Sequence, residues 1–237
     1  MAQAAGLAPG AVSVTVVVMA FNEARSLEPV VREIHATLAG IGRSFEVLIV
    51  DDGSRDATAP TADRLAAGLP EIRVVHHPQN QGLGGVYQTG LRSAQGDLIT
   101  FFPADGQFAA SLLASFVRVM ADHDLALGYL AQPGGSAVAR LLSGCERLVQ
   151  RLLFGRIPRF QGILMLRRAI LDRFPLRSTG RGWAVVLELI VRASRAGCRI
   201  AAVPIEVRPR LAGASKVRNL ATIWSNLRQL VALRRQL

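Results

Sequence analysis

Three apolar runs of this sequence end in acidic or amide side chains. The three clusters are Asn22-Glu23, Asp51-Asp52, and Asp105 with Gln107. Apolar runs of this length, rich in β-branched residues, predict strands buried on both faces. If these strands are parallel, their carboxyl ends meet at one edge of the sheet, so the clusters should lie close together. Carboxylate and amide oxygens can bind a base, a ribose or a hard cation.

The loop Pro103–Gln107 presents one carboxylate and one amide. Asp105 and Gln107 are alternate residues, so their side chains point the same way if the segment is extended. Two such oxygen donors suit a divalent cation that takes its other ligands from phosphate and water. The alternative is an Asx-type turn after a strand, in which Gly106 supplies the unusual backbone angle. The spacing leaves both interpretations open.

The elements that must position these clusters alternate along the chain, which predicts an α/β fold with a mostly parallel sheet flanked by helices. The predicted strands are 12–19, 45–50, 72–76, 98–102, 125–129, 160–166 and 199–207. The predicted helices are 26–38, 56–68, 82–94, 108–120, 137–154, 183–196 and 220–237, with Ser26 and Asp56 as caps of the first two. We expect a single domain, since 237 residues suffice for one full core.

Four glycines stand in the predicted helix 82–94. Glycine costs helix stability, so we expect these residues to allow the close approach of another backbone segment. The chain has no P-loop, and Gly82-Leu83-Gly84-Gly85 lacks the spacing of a dinucleotide fingerprint. A nucleotide-sugar site would need acids for the nucleoside, and a metal with basic groups for the diphosphate. The early acids and the late Arg210 and Lys216 supply these two parts.

The charge of the chain is unevenly distributed. Residues 1–130 hold 8 basic and 13 acidic side chains, whereas residues 131–237 hold 20 basic and 4 acidic ones. This predicts an anionic partner for the second part, such as a lipid headgroup or a phosphorylated substrate. Nucleic acid fits the charge, but no recognition motif accompanies it, so we expect no nucleic-acid partner.

Two predicted helices, at 137–154 and 218–237, are basic and amphipathic. They could lie on a membrane surface or pack on the sheet as ordinary core helices. No apolar run reaches the roughly 18 residues that a membrane span needs. The first residues lack a signal-peptide pattern, and two cysteines give no disulfide framework. We therefore expect a cytoplasmic protein with peripheral contact to the inner membrane face.

Six short segments, in this order, carry a resemblance to a known family. They are Met19-Ala20-Phe21-Asn22-Glu23, Val50-Asp51-Asp52-Gly53-Ser54, Asn80-Gln81-Gly82, Ala104-Asp105-Gly106-Gln107, Glu188-Leu189 and Arg210–Lys216. The chain resembles the family 2 glycosyltransferases of the GT-A fold, and within them the dolichyl- or polyprenyl-phosphate sugar synthases. The resemblance covers about residues 13–217 and predicts a flexible N-terminus at 1–11, a GT-A domain at 12–217 and a basic amphipathic helix at 218–237.

The resemblance implies roles for individual residues. The expected donor-binding residues are Met19, Phe21, Glu23, Val50, Asp52, Ala104, Arg210 and Lys216. Asp105 and Gln107 correspond to the family's ligands for a divalent metal, Mg²⁺ or Mn²⁺, and Asp105 is also expected to be catalytic. The implied partners are a nucleotide-sugar donor and a lipid-phosphate acceptor.

The sequence departs from the family pattern at the metal site and after the fifth strand. Pro103 replaces the first acid of the usual Asp-Ala-Asp, and Leu130 replaces a common arginine. An acid expected near Gly162 is also absent. Arg140 or Arg159 could take the place of the missing arginine.

The acceptor decides whether a general base is needed. A lipid phosphate is already ionised near neutral pH, because its second pKa is about 6. A hydroxyl acceptor of a saccharide requires a base, for which Glu188 is the candidate, although an ion pair with Arg192 at i+4 explains it equally well. A third alternative is a non-catalytic binding protein that keeps the fold, which the substitutions at Pro103 and Leu130 would permit.

Overall fold

A computed structural model of the chain describes residues 12–130, 154–155, 157–178, 180–209 and 233–234. The predicted N-terminal segment 1–11 lies outside the described residues. So do Arg140, Arg210, Lys216 and almost all of the predicted helices at 137–154 and 218–237. Within the described ranges, no helix has both the length and the apolar composition needed to cross a bilayer.

Strands and helices alternate through most of the described chain. The strands are β1 (Val14–Ala20), β2 (Phe45–Asp51), β3 (Ile72–His76), β4 (Leu98–Pro103), β5 (Leu125–Leu130), β6 (Leu164–Arg167) and β7 (Ile200–Ile205). The helices are α1 (Leu27–Ile41), α2 (Thr58–Gly68), α3 (Gly82–Ser93), α4 (Leu112–Val119) and α5 (Ala184–Arg195), with a 3-10 turn at Arg168–Ile170.

The seven described strands form one sheet in the order β3-β2-β1-β4-β6-β5-β7. Neighbouring strands are parallel except at β6, which is antiparallel to both β4 and β5. The predicted α/β fold with a mostly parallel sheet is thereby confirmed. The reversal at β6 could not be predicted, because an apolar run predicts a strand without its direction.

Helices cover both faces of the sheet, and the alternation of side chains along each strand supplies both cores. Val16, Val18 and Phe102 belong to the core under α1, α2 and α4. Val17 and Phe101 belong to the core under α3 and α5. The central strands are therefore apolar over most of their length, as expected of strands buried on both faces, and the buried polar exceptions Thr15, Glu46 and Thr100 form hydrogen bonds.

Four local predictions need correction. Helix α4 begins at Leu112, not at residue 108, because Phe108 turns into the core and the N–H of Ala110 donates to the Glu33 carboxylate instead of entering a helix. Ser26 does not cap α1, since its hydroxyl donates to Glu23. Strand β6 begins at Leu164, not at residue 160, because Gly162 has a φ of 88°, which interrupts an extended backbone. Asp56 does not occupy the cap position of α2, which is Ala57, although its carboxylate accepts the N–H of Thr58 at 3.0 Å.

Candidate active site

The carboxyl ends of four parallel strands are level with one another. The register pairs Ala20 of β1 with Asp51 of β2, Asp51 with His76 of β3, and Met19 with Pro103 of β4. One further hydrogen bond continues each pairing beyond the strands, and the N–H of Ala104 donates to the Met19 carbonyl at 3.1 Å. The three polar clusters predicted from the sequence therefore lie along one edge of the sheet.

The loops after β1 and β2 are bound to each other. Asn22 has a φ of 55°, and it is the one described non-glycine residue with a positive φ. Its backbone N–H donates to the Ser54 hydroxyl at 2.9 Å, and its side-chain oxygen accepts the N–H of Arg55 at 2.8 Å. The N–H of Glu23 also donates to the Thr58 hydroxyl at 2.8 Å. These bonds offset the strained backbone of Asn22 and hold the first predicted cluster in place.

The predicted donor-binding residues of the first two strands differ in their access to solvent. Phe21 and Glu23 are half-buried at the edge, and Met19 is also partly accessible. Val50 and Ala104 are buried. Glu23 accepts the Ser26 hydroxyl at 2.8 Å, so it also organises the start of α1. The edge thus presents Phe21 and Glu23, while Val50 and Ala104 can contribute only by shaping the backbone.

Asp52 is buried, with 3% of its surface exposed. Its carboxylate accepts four hydrogen bonds of 2.7–2.9 Å, from the side chains of His77 and Asn80 and from the backbone N–H groups of Gln81 and Gly82. An ionised carboxylate has about four acceptor positions, so these donors use its capacity. The geometry therefore supports a role in shaping residues 80–82, and a direct contact with a donor stays a prediction.

His77 extends the Asp52 cluster into the core. Because a carboxylate only accepts, Nδ1 of His77 donates to Asp52, and Nε2 lies 2.9 Å from the Thr89 hydroxyl of α3. The neighbouring His76 contacts Asp51 and Asp63, each at 3.0 Å. The Asp51 carboxylate, followed by that of Asp63, raises the pKa of the His76 imidazole above its usual value. The ring nitrogens of both histidines therefore contact side chains of the protein itself, which indicates structural roles.

The glycines of α3 allow the close approach of a backbone segment, as the sequence indicated. A Cβ on Gly84 would lie 1.8 Å from the carbonyl oxygen of Gly180, and one on Gly82 would lie 2.7 Å from that of Arg181. The N–H of Gly84 donates to the Arg181 carbonyl at 3.0 Å. The approaching segment belongs to the same chain and precedes α5, so these two glycines serve packing at the edge.

Glu188, the candidate base, is fully buried in α5. It accepts the N–H groups of Arg177 at 3.0 Å and Ser178 at 2.7 Å, and the Arg192 Nε at 2.7 Å. Burial alone would raise the pKa of this carboxyl, but the hydrogen bonds outweigh burial and lower it. The ion pair with Arg192 is therefore present. A general base must reach the proton it removes, and this geometry offers no support for such a role, which stays a prediction.

The Asp105 loop forms the Asx-type turn that the sequence allowed. Oδ1 of Asp105 accepts the N–H of Gln107 at 3.1 Å, and Gly106 has the positive φ of 75° that the turn requires. Asp105 is buried and Gln107 is half-buried. The Gln107 carbonyl accepts the N–H of Arg208 at 2.7 Å. Arg208 therefore lies beside this turn.

The side-chain oxygen atoms at this turn are of the type that binds a hard cation, although only two residues supply them. Among the described residues, no group of three or more His, Cys, Asp and Glu side chains could hold a metal ion. Asp105 and Gln107 offer a carboxylate and an amide, and Mg²⁺ typically takes one or two carboxylates with phosphate and water oxygens. Asp105 and Gln107 alone would therefore leave most positions around such an ion to other ligands.

An aromatic group beside α3 was missed in the sequence. The ring of Trp183 lies 6.0 Å from that of Phe160 and 6.3 Å from that of Tyr87, measured between centroids. Trp183 is 42% exposed, whereas Tyr87 is buried against Phe101 at 4.1 Å. The Tyr87 hydroxyl has no hydrogen-bond partner among the described residues, and burial raises its pKa. These residues are far apart in sequence, so no local pattern could reveal them.

Comparison with known proteins identifies the class to which this mostly parallel sheet, with acids along one edge, belongs. The chain matches the model of the glycosyl transferase family 2 over residues 15–173, and it therefore belongs to this family. It is 30% identical to a polyprenol monophosphomannose synthase of Mycolicibacterium smegmatis, over 91% of this chain and 86% of that protein. It is 33% identical to the glycosyltransferase AglD of Haloferax volcanii, over 87% of this chain but only 35% of that longer protein.

A solved structure has the same fold. A mannosyltransferase of Pyrobaculum calidifontis, in complex with GDP-Man and Mn²⁺, superimposes with a TM-score of 0.65. The likeness covers 94% of this chain and 63% of that one at 22% sequence identity. The fold assignment thus agrees with the family assignment.

Proposed function

We propose that the chain transfers a sugar from a nucleotide-diphosphate sugar to a polyprenyl phosphate, at the cytoplasmic face of the membrane. This proposal rests mainly on one observation. Phe21, Glu23 and the Asp105 turn follow the carboxyl ends of neighbouring parallel strands, at one edge of the sheet. The name of the mycobacterial relative supports the choice of acceptor. The basic excess of residues 131–237 is consistent with an anionic lipid phosphate at a membrane surface.

The donor would bind across the ends of β1, β2 and β4. In this proposal Phe21 and Glu23 contact the nucleoside, Asp52 holds the turn at residues 80–82 against it, and Arg210 with Lys216 approaches the diphosphate. The remaining donor-site residues, Met19, Val50 and Ala104, form the walls and backbone of the site. Arg208, bound to the Gln107 carbonyl, supports the placement of the basic segment beside the metal turn.

Asp105 and Gln107 would hold a divalent metal, Mg²⁺ or Mn²⁺. Such an ion supplies charge neutralisation of the diphosphate leaving group. The protein's part is to orient the oxygen ligands, and the bond from the backbone N–H of Gln107 does this for the Asp105 carboxylate. The Mn²⁺ in the neighbouring mannosyltransferase structure supports a divalent ion at this edge.

The reaction would be a direct displacement. A phosphate oxygen of the acceptor forms a bond to the anomeric carbon, and the bond from that carbon to the nucleoside diphosphate breaks, with its electron pair leaving on the diphosphate. The acceptor oxygen is ionised near neutral pH, so positioning is required and a strong base is not. The burial and ion pairing of Glu188 support this acceptor over a hydroxyl, because Glu188 was the candidate base for a hydroxyl acceptor.

The first experiment measures transfer of labelled sugar from UDP- and GDP-sugars into organic-extractable undecaprenyl phosphate, with Mg²⁺ or Mn²⁺. We expect one preferred donor and a signal abolished by chelation. Asp105→Ala should reduce transfer by about 100-fold or more, since it removes a metal ligand close to the developing charge. Asp122→Ala, which removes an exposed acid beyond α4, is the matched control and should leave the rate unchanged.

Other outcomes would assign the chain differently. Transfer to saccharide hydroxyls without lipid transfer would overturn the proposed acceptor while retaining the enzyme class. Binding of a nucleoside diphosphate without transfer to either acceptor would favour the non-catalytic binding protein. Full activity of Asp105→Ala would exclude Asp105 from the metal site.

A further inference from the structure

The segment 177–182, which we call the arginine loop, is held at both ends. At its start, the N–H groups of Arg177 and Ser178 donate to the buried Glu188. The Ser178 carbonyl also accepts a hydrogen bond from the side chain of Gln88 in α3. At its end, the Arg181 carbonyl accepts the N–H of Gly84. The described residues of this loop are therefore fixed between α3 and α5.

The side chain of Arg181 is oriented by the Asp52 cluster. Its guanidinium donates to the Asn80 side-chain oxygen at 2.6 Å, and the Asn80 amide nitrogen donates to Asp52 at 2.8 Å. Asp52 lies at the end of β2, on the same edge as the ends of β1 and β4. The chain of contacts from Asp52 to Asn80 therefore places the Arg181 head group on the side of the molecule that carries the candidate active site.

The partner of Arg181 is a neutral amide. No described carboxylate forms a salt bridge with Arg181, although nine other arginine or histidine side chains of the described residues do pair with acids. A guanidinium has five N–H donors and keeps its full charge when it is held by an amide. Arg181 is also exposed. Such a group is suited to bind an anion that arrives from solvent.

An apolar surface stands two residues beyond this cation. Trp183 exposes 42% of its surface at the start of α5 and packs edge to face on the half-buried Phe160. The indole of Trp183 also packs on the ring of Tyr87, which is buried. A fixed cation followed directly by an exposed, fixed aromatic side chain matches a ligand whose phosphate is attached to a hydrocarbon chain.

We propose that Arg181 and Trp183 form the entrance of the acceptor site, where Arg181 binds the phosphate of a polyprenyl phosphate and Trp183 with Phe160 contacts its first isoprenyl units. This inference rests on the proposed function and assigns its acceptor to particular residues. Leu130 replaces an arginine that is common in the family. The inference gives the role of that arginine to Arg181, in preference to Arg140 or Arg159. The nucleoside of the sugar donor lies at the ends of β1 and β2, beside the Asn80 turn that orients Arg181, and the acceptor approaches from the side of Trp183.

The test separates acceptor binding from donor binding. We compare the wild type with Arg181→Gln, Arg181→Lys, Trp183→Ala and Trp183→Phe, and use Arg118→Gln as the control that removes an exposed arginine from α4. The KM for undecaprenyl phosphate is measured by transfer, and the Kd of the nucleoside diphosphate by calorimetry. Inhibition by farnesyl phosphate and by glycerol 3-phosphate distinguishes the apolar contact from the phosphate contact.

We expect Arg181→Gln to raise the acceptor KM roughly tenfold or more, with the Kd of the nucleoside diphosphate unchanged, since hydrogen bonds to charged groups carry that much affinity. Arg181→Lys should have a smaller effect, because lysine keeps the positive charge but lacks the planar set of N–H groups with which a guanidinium binds two phosphate oxygens. Trp183→Ala should weaken inhibition by farnesyl phosphate and leave that by glycerol 3-phosphate unchanged, and Trp183→Phe should retain most of the affinity. Arg118→Gln should match the wild type.

Each contrary outcome has its own meaning. An unchanged acceptor KM in an active Arg181→Gln enzyme would overturn the inference and leave the proposed function intact. A weaker Kd for the nucleoside diphosphate would assign Arg181 to the donor. If binding to phosphatidylglycerol vesicles falls in parallel with activity, Arg181 contacts the membrane surface and the inference fails. Absence of lipid transfer by the wild type would overturn the proposed function itself.

Discussion

Asp52 and Glu188 are buried carboxylates on two sides of the arginine loop, and the protein holds them by different means. Asp52 accepts an imidazole, a side-chain amide and two backbone N–H groups. Glu188 accepts two backbone N–H groups and the guanidinium of Arg192, a permanent cation. Of the two carboxylates, only Glu188 is therefore paired with a permanent positive charge, which Arg192 supplies from the next turn of the same helix.

This difference shows what acids at a candidate active site can do besides chemistry. Each carboxylate binds the N–H groups of a turn, Asp52 at residues 80–82 and Glu188 at residues 177–178, and the two turns meet at Arg181. The family resemblance assigned Asp52 to the sugar donor, and the sequence left Glu188 open between proton transfer and an ion pair with Arg192. Their contacts instead support positioning, since a carboxylate that accepts several N–H groups is already desolvated and oriented by the protein.

The largest effect on stability is expected for Glu188→Ala. This change removes the carboxylate shared by Arg192 and the backbone of residues 177–178, and it leaves a largely buried guanidinium without this counter-charge. Breaking a buried ion pair by removing one partner costs about 3–5 kcal/mol. Urea unfolding should show this loss, whereas Glu206→Ala, an exposed site after β7, should change the free energy of unfolding little.

A loss below about 1 kcal/mol for Glu188→Ala would place this pair with weak surface ion pairs and contradict the role described here. Glu188→Gln sharpens the comparison, because it keeps the shape but removes the charge. If Glu188 is the general base after all, Glu188→Gln should abolish transfer while the stability changes little.

Asp52→Asn should have a smaller effect, about 1–3 kcal/mol, because one amide nitrogen would face N–H donors that now bind an oxygen. If Asp52 acts by shaping the turn, the loss of stability and a weaker affinity for the nucleoside diphosphate should appear together. A weaker affinity at unchanged stability would instead indicate a direct contact between Asp52 and the donor. Asp97→Asn, in the turn before β4, is the control for a partly accessible acid at the opposite edge.

The fold and the location of the candidate site follow from local patterns. Apolar runs with polar ends predicted the strands β1, β2 and β4 and the edge at which their clusters meet, and helix-breaking glycines predicted a close approach at α3. These features depend on neighbouring residues, on side-chain alternation and on the geometry of parallel sheets.

The partners of the acids could not be predicted in the same way. His77 lies 25 positions from Asp52 and Arg181 lies 101 positions from Asn80, so their contacts depend on how α3 and α5 pack. The antiparallel direction of β6 likewise depends on tertiary structure. An acid at a strand end therefore predicts the place of a site, whereas its role depends on distant donors that no spacing encodes.

The smallest effect concerns His76, which extends the comparison to an acid cluster with a titratable partner. The contacts with Asp51 and Asp63 raise the pKa of His76 in the folded chain above the unfolded value of about 6.5. Stability from these contacts is therefore fully present below the unfolded pKa and is lost as the pH rises through the folded pKa. His76 is 39% exposed, so solvent screening limits the effect to about 1 kcal/mol or less.

His76→Gln should remove this dependence on pH. The difference in free energy of unfolding between the wild type and His76→Gln should be largest at acidic pH and should shrink as the pH rises past the folded pKa. His123→Gln is the control, since His123 contacts a backbone carbonyl, Val119, and no carboxylate. A difference that grows with pH would mean that Asp51 holds the neutral form of the His76 imidazole. The contact between His76 and Asp51 would then not be an ion pair, unlike the contact between Arg192 and Glu188.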